Sequence, residues 1–379
     1  MSLCVKQYAL TALAFAALVR PGVAQTSINP DISVIPRFLI ETNDGERLDA
    51  GQRELSRPNF SFEELELAIQ AYLNPFARAD IFLTLPGPDL EEAKLGAEEI
   101  YAMIVRGLPL NLNLRFGKYR VDYGKLNLVH PHAWPFITQP LSQERFLGEE
   151  GLNDLGFSVS TLLPTGNVYT KLTVDLLRGS AIAEAAGIED TSSAKPTYAT
   201  SARLTSFFML TGDSDLEVGL SGFTGIHDPY SRDRFYYANL DFKYKYRPSS
   251  YHSLVVQGEY LLNKRKARQD RDLVGFVDAE GNPVRRAINT SGLYLYADYQ
   301  FRKIFSLGAR YDWSQEPYHQ EDEAQAFAVF LGYYPVEETL GLRLQYQHTR
   351  NQGFSATQSI NMIALQAIFS LGPHKAHPF

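Results

Sequence analysis

The stretch "NLVHPHAWPFITQPLSQERFLGEEGL", Asn127 to Leu152, gathers residues able to do chemistry. His130 and His132 flank Pro131. In an extended segment, residues two apart point the same way, so both imidazoles could meet one Zn2+. Such a site needs three or four ligands in a set geometry. The sequence offers no obvious third ligand nearby; His374 and His377 could add two, but from the far end of the chain. The plainer reading has the histidines hydrogen-bonding within their own segment, so no metal and no cofactor is expected. His130 and His132 remain the only metal candidates.

The other residues of the stretch suit a rigid loop. Pro131, Pro135 and Pro140 fix φ and stiffen it. Trp134 and Phe136 are expected to pack it against a wall. Glu144, Arg145, Glu149 and Glu150 are expected to pair with charges on that wall. Catalysis finds little support: the chain has no G-x-S-x-G, H-E-x-x-H, P-loop or dinucleotide fingerprint. His227 beside Asp228, and His319 near Glu321, are the nearest approach to a catalytic pair. No enzyme is expected, and no catalytic residue is assigned.

The elements that would position this loop follow from the rest of the chain. The N-terminus, "MSLCVKQYALTALAFAALVRPGVAQ", reads as a cleaved secretory signal over 1–24, with Ala24 at the cleavage site. Its apolar run, Tyr8 to Val19, is short of the roughly 20 residues that span a bilayer. The only cysteine, Cys4, lies in that segment, so the remaining domain, 25–379, has no disulfide and no thiolate metal site. Loss of Lys6 and Arg20 from the 36 bases leaves 34 against 43 acids, a net charge of −9 that argues against nucleic acid as a partner. Tyrosine is abundant, at 22 residues against 2 Trp.

The dominant pattern is alternation. In "LTVDLLRG", Leu172, Val174 and Leu176 share one face; Lys171, Thr173 and Asp175 share the other. "FYYANLDFKYKYRP" and "TLGLRLQYQH" repeat the pattern. Period two over about ten residues marks strands. The acidic segments 61–73 and 90–105 have helix-like spacing too, but Glu64 and Glu66 alternate with Leu65 and Leu67, and strands are expected there. "SAIAEAAGIED" (180–190) reads as a short helix in a loop.

From Asp31 onward there are 16 strand candidates, joined by links that alternate short and long. Short ones include Asn74-Pro75, Pro164 to Asn167 and Arg302 to Ile304. Long ones are 43–59, 86–96, 121–154, 179–197, 227–234, 264–288, 315–322 and 350–358. A soluble sandwich has no reason to sort its loops this way; a membrane β-barrel does. The expected fold is therefore all-β: a transmembrane antiparallel barrel of about 16 strands (alternatives 14 or 18), its apolar face toward lipid. Aromatics near strand ends, such as Phe301, Phe305 and Tyr333, would form interfacial girdles.

Parity then assigns charged side chains to the lumen, since a base at the bilayer midplane costs about 2–4 kcal/mol. The expected lumen-facing set is Arg115, Lys171, Asp175, Arg203, Asp241, Lys243, Lys245, Asp298, Arg310, Asp312 and Arg343, with Glu64, Glu66, Asp80, Glu217 and Glu259 as further acids. The basic stretch Leu262 to Asp272, with Lys264, Arg265, Lys266, Arg268 and Arg271, is expected to be exposed and able to contact lipopolysaccharide.

On strand count and on the length of its third long loop, the chain resembles the porins of Gram-negative outer membranes. In 16-stranded general porins that loop folds into the lumen. "GKLNLVHPHAWPFITQPLSQERFLGEEGL", followed by "DLGFSVSTLLP" and the tail "GPHKAHPF", is also similar to a little-characterised group of porin-like barrels. The resemblance implies residence in the outer membrane and passage of small hydrophilic solutes. It implies a pore constriction built from His130, His132, Trp134, Phe136, Glu144, Arg145, Glu149 and Glu150. It also implies recognition by the barrel-assembly machinery through a C-terminal region ending in Phe379, and it admits a homotrimer. The alternative is a gated or closed barrel that binds or takes up a metal ion or another specific ligand.

Overall fold

The computed structural model describes residues 30–44, 57–87, 94–180, 197–227, 232–268, 275–336, 339–352 and 357–372. The expected signal segment, its cleavage site, most of the 180–190 segment, Arg271 and the tail from 373 to Phe379 lie outside these residues.

Sixteen strands pair antiparallel in chain order and close into a barrel. They are β1 Asp31–Asn43, β2 Asn59–Asn74, β3 Ala77–Pro86, β4 Gly96–Ile104, β5 Asn113–Arg120, β6 Asn153–Leu163, β7 Tyr169–Leu177 and β8 Ala199–Met209. There follow β9 Ser214–Ile226, β10 Arg234–Ser249, β11 His252–Ala267, β12 Arg286–Phe301, β13 Phe305–Glu316, β14 His319–Val336, β15 Leu340–Gln352 and β16 Thr357–Phe369. Closure is made by β1, which pairs with β2 on one edge (Val34 opposite Leu67) and β16 on the other (Ile40 opposite Leu365). Both acidic segments with helix-like spacing are strands, β2 and β4. One link differs from expectation: β13 and β14 run on until only Pro317 and Tyr318 separate them, where a long loop over 315–322 was expected.

The alternation sorts the faces as parity requires. On β10, Tyr236 and Leu240 are exposed on the outer wall while Asn239 and Asp241 are buried within. On β15, Leu342 and Leu344 face out and Arg343 and Gln345 face in. The outer wall thus presents apolar side chains to lipid, and the buried polar residues belong to the lumen. At the short-turn end Phe305 stacks between Phe301 (5.6 Å) and Tyr333 (5.1 Å), a piece of the expected girdle.

Away from the strand ends, two of the register shifts matter for the lumen. Register slips between Arg37 and Phe38 on β1, with Glu63 the extra residue of β2. It slips again between Phe82 and Leu83 on β3, with Glu98 the extra residue of β4. A bulge puts two residues opposite one and re-aims the side chain. Adjacent Glu98 and Glu99 are consequently both buried inside the barrel, which strict alternation forbids.

Candidate functional site: a loop docked across the lumen

The third long loop, Val121 to Leu152, enters the barrel and lies across its lumen. Its two ends are tied by Asn127: the side chain donates to the carbonyls of Val121 (2.8 Å) and Leu152 (3.0 Å) and accepts from the Leu152 N–H (2.7 Å). Between these ends the chain makes four sets of contacts with the wall.

The first is electrostatic. Asp122 accepts from Lys171 Nζ (2.7 Å), Thr173 Oγ1 (2.8 Å) and Arg203 Nη1 (2.9 Å). Arg203 also reaches Asp241 at 2.8 Å and donates to the Gly124 carbonyl. Lys125 pairs with Glu217 at 2.6 Å. Glu259 accepts the N–H groups of Lys125 (3.0 Å) and Leu126 (2.7 Å), and also the hydroxyl of Tyr294 (2.7 Å). Gly124 has φ +65°, and any Cβ there would meet Glu259 and Asn239. Only glycine lets the backbone approach this closely.

The second set surrounds the histidines. His130 Nδ1 lies 3.0 Å from Glu66 Oε2, and His130 Nε2 lies 2.9 Å from Glu99 Oε1. His132 Nδ1 is 3.2 Å from the same Glu66 oxygen. Burial would lower the His130 pKa, but the carboxylates of Glu66 and Glu98 overcome it and raise it to about 10. Arg120 holds Glu98 through Nε (3.0 Å) and Nη2 (2.5 Å), and Arg343 donates to the His132 carbonyl at 2.7 Å.

The third set is apolar. Trp134 and Phe136 pack with Tyr294, Tyr296 and Phe330 in one buried cluster. The Arg310 guanidinium lies 4.4 Å over the Phe136 ring, within cation–π range. The fourth set fastens the descending strand of the loop. Ile137 N–H donates to Gln345 (2.7 Å), Thr138 Oγ1 to Gln347 (2.6 Å), and Arg310 Nη1 to the Thr138 carbonyl (2.5 Å). A short helix, Leu141–Leu147, follows Pro140 and stops at Gly148, whose φ of 85° suits glycine. Arg145 in this helix donates to the Ser314 carbonyl at 2.9 Å and approaches Glu316 at 3.7 Å.

The predicted residues divide accordingly. His130, His132, Trp134 and Phe136 are drawn together against the wall, whereas Glu144, Glu149 and Glu150 are exposed. Asp122, Lys125, His130 and Arg145 of the loop meet opposite charges on the wall. Of the wall set, Asp175, Arg203, Asp241, Arg310, Asp312 and Arg343 are buried in the lumen. Arg115 lies 3.9 Å over the Tyr119 ring, and Lys245 and Asp298 line a cavity. Lys171 contacts Asp122 from the wall, and Lys243 is half-buried. On β11, Lys264 and Lys266 are exposed on the outward face, and Arg268 just past it is exposed, but Arg265 turns inward, is buried, and donates to the Tyr237 hydroxyl. His227 faces the Lys266 carbonyl at 2.9 Å; Asp228 lies outside the described residues.

Sequence reasoning missed Glu98, Glu99, Arg120, Asp122 and Lys125. A signal for the first two existed, since paired acids interrupt an alternating strand. Asp122 and Lys125 sit just past β5, where alternation no longer assigns a face.

Among the described residues, cavities of about 430 and 380 Å³ lie beside the loop. Both are lined by His132. The larger reaches toward the short turns near Asn113 and Ser160, the smaller toward those near Lys303 and Thr339.

Known outer-membrane channels share the fold of this barrel. The outer membrane channel DcaP of Acinetobacter baumannii superposes with a TM-score of 0.58, over 93% of this chain and 100% of that one, at 13% identity. An anion-selective porin from Comamonas acidovorans gives 0.59, covering 90% and 99%, at 8% identity. The fold is that of a porin. OmpT, an outer membrane protein of Vibrio cholerae, shares this porin fold at a TM-score of 0.54, covering 92% and 100%, with 11% identity. No family model matches the sequence. A protein of Aquifex aeolicus, described only as uncharacterized, is 27% identical over 407 residues, covering 94% of this chain and 81% of its own length.

The anchoring of this porin-like loop is expected to depend on pH through Asp122. Burial alone would raise its pKa, but Lys171 and Arg203 hold it well below the ordinary 3.8. A depressed carboxylate stabilises above its unfolded pKa, and that contribution is lost as pH falls toward the folded value. Cleavage of the loop by pepsin is therefore expected to rise as pH drops below about 4. Asp122→Asn should remove much of this acid dependence and show raised cleavage near neutrality with a neutral protease. Equal cleavage of both proteins at every pH would contradict this role.

Proposed function

We propose that the protein is an outer-membrane channel through which small hydrophilic solutes diffuse passively, past a constriction set by the loop 121–152. One observation carries this: a closed barrel whose lumen is lined with both signs of charge and narrowed by a docked loop, with cavities left beside it. Acids and bases that line the cavities, such as Glu99, Arg115 and Lys171 in the larger and Lys245, Asp298 and Arg343 in the smaller, would order water and screen solutes by charge and dipole. The bore-setting residues are those that hold the loop, His130, His132, Trp134 and Phe136 among them, rather than the exposed Glu144, Glu149 and Glu150. The channels DcaP and the Comamonas porin, alike in fold, support this reading by analogy.

A second reading, a barrel closed until the loop moves, is favoured by the number of bonds that fasten the loop. Liposome swelling separates the two. Purified protein in liposomes should admit small sugars and amino acids and exclude larger oligosaccharides. Swelling seen only after the loop's anchors are removed would replace passive diffusion with gating. No swelling with or without the anchors would sink both.

A further inference from the structure

The cluster around His130 goes beyond what a docked loop requires. Glu66 Oε2, His130 Nδ1 and His132 Nδ1 converge, with one ligand atom from each residue all within 4.8 Å of one another. One buried carboxylate oxygen, Glu66 Oε2, thus faces two imidazole nitrogens, His130 Nδ1 at 3.0 Å and His132 Nδ1 at 3.2 Å.

We propose that Glu66, His130 and His132 form a binding site for a divalent transition-metal ion, with Zn2+ as the reference ion. Three properties of the site carry this. The spacing fits: ligands about 2.0–2.1 Å from a tetrahedral zinc lie roughly 3.3 Å from each other. The two measured edges, 3.0 and 3.2 Å, are close to that value. The donor set of two imidazoles and one carboxylate leaves a coordination position open. Glu98 Oε2, 3.6 Å from His130 Nδ1, lies at the margin of the site.

The surroundings also fit. Metal-bound histidines almost always give their other ring N–H to a carboxylate or carbonyl, which fixes the tautomer. His130 Nε2 is 2.9 Å from Glu99 Oε1, so when a metal ion displaces the proton that the carboxylates hold on Nδ1, the Nε2–H keeps its bond to Glu99 and Nδ1 ligates. Glu99 is itself held by the Arg120 N–H at 2.9 Å. Pro131 fixes the turn between the two histidines, and Arg343 grips the His132 carbonyl. Finally, the site is reachable: Glu66, His130 and His132 all line the larger cavity. This inference stands independently of the channel reading, because a barrel that conducts nothing could still hold the ion.

The test uses the full-length barrel, folded in detergent and stripped with chelator. Titration with Co2+ should give d–d absorption saturating at one equivalent, displaced by Zn2+ but not by Mg2+. X-ray absorption of the Zn2+ form of the unaltered protein should show imidazole scattering from two histidines plus oxygen. Glu66→Gln and the double variant His130→Ala/His132→Ala should bind at least about 100-fold more weakly. Each is checked for the folded, gel-shifted barrel, and the absorption measurement needs no variant. His374→Ala/His377→Ala should bind as the unaltered protein does. The proposal is overturned by absent saturable binding, by a zinc shell without imidazole, or by binding that follows the tail histidines instead.

Discussion

Replacing Arg203 by methionine is expected to free the first arm of the loop and enlarge the pore. Arg203 is buried, bonded to Asp122 at 2.9 Å and to Asp241 at 2.8 Å, and donates to the Gly124 carbonyl. Removing one member of a buried ion network leaves its partners charged and unpaired, at a cost of about 3–5 kcal/mol. The sixteen-strand ladder does not depend on this side chain, so the cost should fall on loop docking rather than on the barrel. Proteolysis of the folded protein should cut within 121–152 far faster than in the unaltered chain, and single-channel current should rise. Arg203→Met combined with Asp241→Asn should recover part of the loss, since it removes one stranded charge. Unchanged protection in Arg203→Met would show that the network does not hold the loop.

Phe136→Ala is expected to have an effect of similar size by a different route. Its ring is fully buried, set edge-on to Tyr296 (5.3 Å) and Phe330 (5.8 Å) and beneath Arg310. Truncating a buried phenylalanine costs about 3–5 kcal/mol through lost transfer energy and the cavity left behind. The descending strand of the loop keeps its hydrogen bonds to Gln345 and Gln347, so detachment should be partial. The expected signature is a noisy, fluctuating current together with faster hydrogen exchange around Ile137 and Thr138. Phe136→Leu keeps most of the apolar volume and should lie between the two. A steady current equal to that of the unaltered protein would contradict the anchoring role.

These expectations rest on contacts between distant parts of the chain, which explains what was legible beforehand. Strand faces were readable because lipid penalises charge on one side of every strand, so Asp241 and Arg343 could be aimed inward from parity alone. Loop lengths were readable because the short turns carry proline, glycine and polar residues. What parity could not supply is where a strand slips register. The extra residue at Glu98 brings two acids into the lumen beside His130; the paired acids mark the interruption of alternation but not that a bulge would turn both inward. The reach of strands was also misjudged: β13 and β14 absorb residues of the expected 315–322 loop, because outer and inner faces continue to alternate beyond the membrane. The histidine loop illustrates both sides. Its prolines and aromatics announced a rigid packed segment, yet its third candidate ligand, Glu66, lies some sixty residues away on β2.

The loop 121–152 is expected to set the bore of an otherwise open barrel. Single-channel recording in planar bilayers tests it most directly, comparing the unaltered protein with one in which residues 129–148 are replaced by a short glycine–serine link. Small, uniform conductance steps are predicted for the first, and steps several-fold larger for the second. Equal conductance in both, or no steps from either, would contradict it.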